Sequence, residues 1–343
     1  MNLALKEMKK NKSKFFIFGS IVFLISTLTF MIAGLANGLS QDNAALIKEM
    51  PDGHFYMTTD AEDNYALSAI SPEQQDSILK QYDDATALSI QMGIFYNEEG
   101  KQQSVAFATT SDSEQFPQVK SGEIIVDKSL QEDGYQVGDI LTNNQYSGQW
   151  KIVGFSEQTK FNHAAVAFIN PDNFAEMYRT LDQQLIYMPG DEANSIDGLT
   201  AYTNKEFLNT IPSYSAEQLS LNMIIWFLVV ISGLLFAIFF YMMNIQKTSL
   251  FGILKAIGVK TKTLFAMMWV QMLFITAISL ALSIGLSQLF QQVAPDGMPF
   301  HLTIETTLVF AAIFLIIGFI GATLSGLQIK KIQPLQAIQQ GEM

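Results

Sequence analysis

The chain has 343 residues, of which 49% are hydrophobic and 15% charged, with a mean hydropathy of +0.22 and a net charge of −12. The acidic balance argues against a nucleic-acid partner, and the absence of cysteine excludes disulfide staples, thiolate metal sites and cysteine nucleophiles. Charge is partitioned: residues 40–220 hold 28 acidic and 9 basic side chains, a net of −19, and everything outside that window nets +7.

Residues 1–14 carry Lys6, Lys9, Lys10, Lys12 and Lys14 and read as a cytoplasmic amphipathic segment. Residues 15–39 hold a first membrane span, built on an uncharged run over residues 15–36. A lysine-rich start before an apolar run also describes a signal peptide. The run of about 20 residues exceeds the 7–15 of a signal core, so the expectation is a retained anchor.

Residues 40–215 read as an extracellular mixed α/β domain. Ser71-Pro72-Glu73-Gln74 opens a helix to about Tyr82, with Ser as N-cap and Pro at the first helical position. Asn97-Glu98-Glu99-Gly100 is a turn between two strand-like runs around Phe95 and Val105. Further strands are expected over residues 122–126 and 150–155, and a short helix from Asn170-Pro171 toward Tyr178. Ser215-Ala216-Glu217-Gln218 repeats the capping pattern, so a helix is expected to begin near Ala216 and continue as the second span, residues 216–243.

The remaining segments are a cytoplasmic loop (244–263), a third span (264–290), a short extracellular loop (291–303), a fourth span (304–329) and a cytoplasmic tail (330–343). The apolar runs 15–36, 221–243, 264–290 and 308–329 contain no Lys, Arg, Asp or Glu, and each meets the ~20-residue requirement for a spanning helix. Lys247, Lys255, Lys260 and Lys262 lie in one loop, Lys330 and Lys331 in the tail, and residues 291–303 hold no basic residue and one acid, Asp296. Lysine placement therefore puts both termini in the cytoplasm. The fold class is an α-helical membrane protein with four transmembrane helices and a mixed α/β extracellular domain inserted between helices 1 and 2.

Small residues recur at helical spacing at Gly34/Gly38, Gly233/Ala237, Ala277/Ala281/Gly285 and Gly321/Ser325. They suit close helix packing either within one subunit or between two. No phosphate loop, H-E-x-x-H or G-x-S-x-G occurs, and His54, His163 and His301 are far apart. The acids of the insert are spread rather than set at metal-ligand spacing. The chain is read as no enzyme and as having no metal site of its own. Uncharged spans also argue against an ion-coupled carrier.

Gly252-Ile253-Leu254-Lys255-Ala256-Ile257-Gly258 resembles the G-I-L-K-A-[IL]-G stretch after the second span in FtsX-like permeases of type VII (MacB-type) ABC transporters. The tail Ile332-Gln333-Pro334-Leu335-Gln336-Ala337-Ile338 resembles that family's closing [DN]-P-x-E-A-[IL], with Gln333 and Gln336 in place of acids. Gly122-Glu123-Ile124-Ile125-Val126, Gly138-Asp139-Ile140-Leu141 and Trp150-Lys151-Ile152-Val153-Gly154 resemble its outer subdomain. Within the family, residues 213–218, 221–224, 239–241 and 298–303 are most similar to the permease subunits of Gram-positive haem exporters.

The resemblance implies a homodimeric, multi-pass permease of a Gram-positive plasma membrane, working with two copies of a cytoplasmic ABC ATPase that holds ATP-Mg. It also implies mechanotransmission, with haem as substrate and no cofactor of the chain's own. Gly252 and Gly258 bracket a short helical piece with an apolar side, so Lys247, Gly252, Leu254, Lys255 and Gly258 are expected to couple to the ATPase; alternatively the loop lies on membrane lipids with lysines on anionic headgroups. A haem site needs an apolar slot and a ligand for iron. The outer ends of the first two spans offer Met31, Tyr214, Glu217, Asn222 and Met223, with Tyr214 and Glu217 as iron ligands. Two other functions stay open: resistance to antimicrobial peptides or lipid-like antibiotics, whose cationic members the −19 domain would attract, and regulation of a cell-wall hydrolase without transport.

Overall fold

The computed structural model describes residues 2–157, 159–295 and 298–331. Asp296, the Ile332–Ile338 motif and the rest of the tail beyond Lys331 lie outside the described residues. In chain order the helices and strands are α1 (Asn2–Lys10), α2 (Lys12–Lys48), β1 (Gly53–Thr58), α3 (Pro72–Gln81), β2 (Thr86–Tyr96), β3 (Gln102–Thr110), β4 (Glu123–Asp127), α4 (Ser129–Glu132), β5 (Ile140–Thr142) and β6 (Gln149–Ser156). There follow β7 (Lys160–Phe161), β8 (Ala164–Ile169), α5 (Pro171–Tyr178), β9 (Leu185–Pro189), β10 (Leu199–Thr203), α6 (Asn204–Phe207), α7 (Pro212–Ile245), α8 (Thr248–Ala256), α9 (Thr261–Val293) and α10 (Ile304–Lys331). The chain divides into two compact units, Met1–Gly38 with Ser220–Met343, and Leu39–Leu219.

Among the described residues, four helices are long and apolar enough to cross a membrane: Lys12–Lys48, Ser213–Ile245, Thr261–Val293 and Ile304–Leu327. In the helical unit a ladder of hydroxyls joins α2 to α9. Ser26 and Ser283 share a 2.6 Å hydrogen bond, Thr27 donates to Ser283, and Ser279 donates to the Gly19 carbonyl at 2.9 Å. At one end of the bundle Phe18 stacks on Phe239, with centroids 3.8 Å apart, and meets Phe236 edge-on.

Three of the four rows of small residues are consumed by packing within the chain. A Cβ on Gly34 or Gly38 would meet Phe300 or the Pro299 backbone, and one on Gly233 or Gly321 would strike the facing helix of the α7–α10 pair. Asn244 of α7 also reaches Ser325 of α10. Ala277, Ala281 and Gly285 are exposed.

The inserted unit carries one sheet of order β10-β1-β9-β2-β3-β8-β4-β6-β5, with β7 on β8 and a further bridge between Tyr96 and Thr142. All pairings are antiparallel except β3 with β8 and β4 with β6. Side chains alternate across a strand, and here both faces are covered. Val105 and Phe107 of β3 enter a core with Phe95, Trp150 and Phe174. Ala106 and Ala108 enter another with Phe55, Leu88, Phe168 and Phe207. Two buried faces explain why β8, Ala164–Ile169, is an unbroken apolar run rather than an alternating one.

Local signals act as the sequence suggests at α3 and α5. Ser71 accepts from the Gln74 amide, Asn170 from the Asp172 amide, and Pro72 and Pro171 open their helices. The Ser215 capping reading is corrected. Helix α7 starts at Pro212, so Ser215, Ala216 and Glu217 already lie inside it. The true capping box is Thr203 with Glu206, at the start of α6.

Candidate functional site

Two groups of residues gather where the sequence places function, one in the inserted unit and one on the loop after α7. In the inserted unit, Glu217 projects from the second turn of α7. Its carboxylate lies 2.9 and 3.0 Å from Nε2 of His163, and it accepts a 3.3 Å hydrogen bond from Nδ2 of Asn43. Asn43 also donates to the Ser213 hydroxyl at 2.9 Å, and Ser213 donates to Oδ1 of Asn162 at 2.8 Å. The cluster therefore ties together α2, the β7–β8 turn and α7.

Backbone geometry builds this cluster. Asn162 and His163 have φ of 50° and 61°, the left-handed pair that a two-residue hairpin demands. Their amides donate to the carbonyls of Asn43 and Asp42. Helix α2 leaves helical geometry at Ala44 (φ −145°, ψ 22°), one residue after Asn43. Beside it, Lys160 of β7 pairs with Asp42 at 3.0 Å.

Tyr214, three residues before Glu217, makes different contacts. Its oxygen accepts from Ser40 at 3.1 Å, Ser40 in turn accepts from Lys48, and the Lys48 ammonium lies 5.6 Å from the Tyr214 ring. In the helical unit, Met31 is half-buried on α2, while Asn222 and Met223 are exposed on α7. Sequence reasoning missed His163, Asn43 and Ser213. The only available signal was Asn162-His163 just ahead of the apolar run Ala164–Ile169, a two-residue turn with Asn at a left-handed position.

The second group is α8. Gly252 lies inside this helix, buried beside Phe251, and not at its edge. Gly258 is the edge. Its φ is 92°, its amide bonds to the Lys255 carbonyl, and the Val259 amide reaches back to the Leu254 carbonyl at 2.9 Å. That is a Schellman stop, which needs a residue free to adopt positive φ. Phe251 fixes α8 to the bundle, while Leu250, Ile253 and Ile257 stay exposed, Ile257 at 72%. The rest of the chain leaves these apolar side chains uncovered. Among the described residues no group of three or more His, Cys, Asp or Glu is arranged to hold a metal ion.

Residues 222–334 match the FtsX-like permease C-terminal family. Along its whole length the chain is similar to proteins named as hemin transport system permease proteins, HrtB. Identity is 30% with that of Staphylococcus haemolyticus (strain JCSC1435), over 98% of this chain and 99% of that one. It is 32% with that of Staphylococcus epidermidis (strain ATCC 35984), over 100% of both. Among solved structures, the periplasmic region of MacB from Actinobacillus actinomycetemcomitans aligns with 46% of this chain and 92% of its own, at 8% identity and a TM-score of 0.35.

Proposed function

Because this chain belongs to the HrtB family of FtsX-like ABC transporter permeases, we propose that it is the membrane subunit of an ATP-driven exporter that removes haem from the membrane and confers haem tolerance. The observation that carries this reading is identity of about 30% with hemin transport permeases from end to end, rather than over one domain. In the proposal the chain is a homodimer in a Gram-positive plasma membrane with both termini cytoplasmic. A separate ATPase, in two copies, supplies hydrolysis. ATP binding closes those subunits, the motion enters α8 through Lys247, Gly252, Leu254, Lys255 and Gly258, and the second span carries it to the inserted domain. Substrate leaves from the outer leaflet or the outer face, without crossing a central channel.

Haem is a flat apolar ring bearing two propionates and an iron that takes His, Tyr, Met or carboxylate ligands. The proposed contacts are Tyr214 and Glu217 at the iron or a propionate, with Met31, Asn222 and Met223 on the ring. Glu217 is already held by His163 and Asn43, so in this reading a substrate reaches it by competing for those partners. The net charge of −19 on residues 40–220 favours a second reading, in which cationic peptides are the substrate.

The test is to purify the chain with its ATPase, reconstitute it in lipid, and measure hydrolysis against haem, cationic peptides and lipid-like antibiotics. Haem stimulation in the parent, lost in the Glu217→Ala/Tyr214→Phe double variant at unchanged expression, supports the proposal. Stimulation by peptides and not by haem replaces it with the second reading. Full haem stimulation in the double variant sinks the residue assignment.

A further inference from the structure

Glu7 is the sole acidic residue among the first 41, in a segment otherwise rich in lysine. A helix lying on anionic lipid has no use for a carboxylate on its inner face. Yet α1 turns Ala4 and Glu7 inward and leaves Lys6, Lys9 and Lys10 exposed. The Glu7 carboxylate forms an ion pair with Lys247, and the two side chains are only 12% and 11% exposed. Lys247 stands between α7 and α8, at the N-cap of α8.

Neighbouring contacts reinforce this junction. The second Glu7 oxygen accepts from Nε2 of Gln271 at 2.9 Å, and the buried Gln271 of α9 also reaches the Ala4 carbonyl. The Lys247 ammonium lies 5.7 Å from the Phe15 ring of α2. One residue earlier, Gln246 accepts a hydrogen bond from Lys14 of α2. Burial pulls the Lys247 ammonium below its ordinary pKa, with Glu7 opposing the shift. Between α1 and α2 there is one residue, Asn11, whose amide donates to the Glu7 carbonyl and whose carbonyl accepts from Lys14 and Phe15. Such a connection transmits displacement because it has little slack.

The geometry points to α1 as a coupling element: the Glu7–Lys247 pair delivers movement of α8 to the first span, in parallel with its direct path into α7. The inference rests on the reading of the chain as an ATPase-driven permease. Its consequence is that the two helices flanking the inserted unit are driven together from one junction. Glu7 and Lys247 are positioning residues in this scheme. A buried pair stripped of one charge leaves the other uncompensated, which is why the pair responds sharply to neutralisation.

The chain contains no cysteine, so an introduced cysteine is unique in it and is labelled on the purified chain before assembly. In the reconstituted complex with its ATPase, an environment-sensitive dye is placed on Phe16→Cys of α2 or Met242→Cys of α7, both well exposed positions. The parent is expected to show an ATP-dependent signal at both. Glu7→Gln is expected to leave co-purification with the ATPase and the Met242→Cys signal intact. It should cut the Phe16→Cys signal at least about fivefold, the lower end of ordinary coupling. The charge exchange Glu7→Lys/Lys247→Glu should restore most of it.

Undiminished Phe16→Cys response in Glu7→Gln, failure of the exchange to restore it in an assembled complex, or a parent in which only α7 responds would each overturn the inference. Because the probes report ATP and not substrate, haem failing to stimulate hydrolysis while both probes respond counts against the haem reading alone.

Discussion

Replacing Gly38 with alanine adds one methyl where the chain has no room for it. A Cβ there lies 2.2 Å from the Pro299 carbonyl oxygen, 2.3 Å from its carbon and 2.6 Å from the Phe300 nitrogen, all backbone atoms. Ordinary contact begins near 3.4 Å, so residues 299–300 must withdraw by roughly 1 Å. That withdrawal strains the 2.9 Å bond from the His301 amide to the Gly34 carbonyl and the 2.9 Å bond from Asn37 to Thr306. The same change at Gly285 meets nothing within 4 Å. Both glycines are inside helices, so both variants gain about 1 kcal/mol of helix propensity, and the gain cancels in the comparison. What remains is overpacking, about 1–3 kcal/mol, plus up to about 1 kcal/mol for a weakened hydrogen bond. Thermal unfolding of the purified chain in detergent should place Gly38→Ala below the parent and Gly285→Ala at or above it. A gap on the order of 2–8 °C is expected. Equal melting temperatures for the two variants would refute the packing of residues 299–300 against α2.

Cysteines introduced at Asn97 and Thr261 should react oppositely with an impermeant reagent in intact cells, and equal labelling would contradict the lysine-based topology. Gly258→Val forces a β-branched residue to a φ of 92°, at a cost of at least about 1–2 kcal/mol. The expected result is normal membrane insertion with reduced capture of the ATPase in co-purification. His163→Ala should weaken the inserted unit by about 1 kcal/mol and not by the several expected of a buried pair, because His163 and Glu217 remain 33% and 31% exposed. A double-mutant cycle with Glu217→Ala, read by urea unfolding, checks the value.

Signals that act within a few residues were legible in the sequence. Ser71-Pro72 and Asn170-Pro171 both cap their helices because the requirement is local: an acceptor at the N-cap and a ring that cannot donate at the next position. Ser215 satisfies the same pattern and caps nothing, since Pro212 has already begun α7 and a residue inside a helix lacks the extended backbone of an N-cap. Gly258 and Gly252 look alike in the sequence, yet only Gly258 takes positive φ. The partners of the candidate site were not legible. His163 and Asn43 lie 54 and 174 residues from Glu217, and the sheet that brings them there depends on the parallel pairing of β3 with β8. Lys247 stands out in a lysine-rich loop, but its burial is set by Glu7, 240 residues earlier.

The position of β1 in the sheet bears on how the molecule is made. His54 pairs with Thr203, and Tyr56 with Ile186 and Ala201, so the first strand of the insert is completed by its last two. At ribosomal rates of about 5–20 residues per second, the ~150 residues between them take on the order of 10–30 s to appear. During that interval α2 has been synthesised, while Phe55 and Met57 have none of their β9 and β10 neighbours to cover them. Closure of the domain must therefore wait until α6 has emerged and α7 is being threaded. The nascent insert spends its longest exposed phase as a half-sheet, and a stall or truncation before Leu199 strands it there.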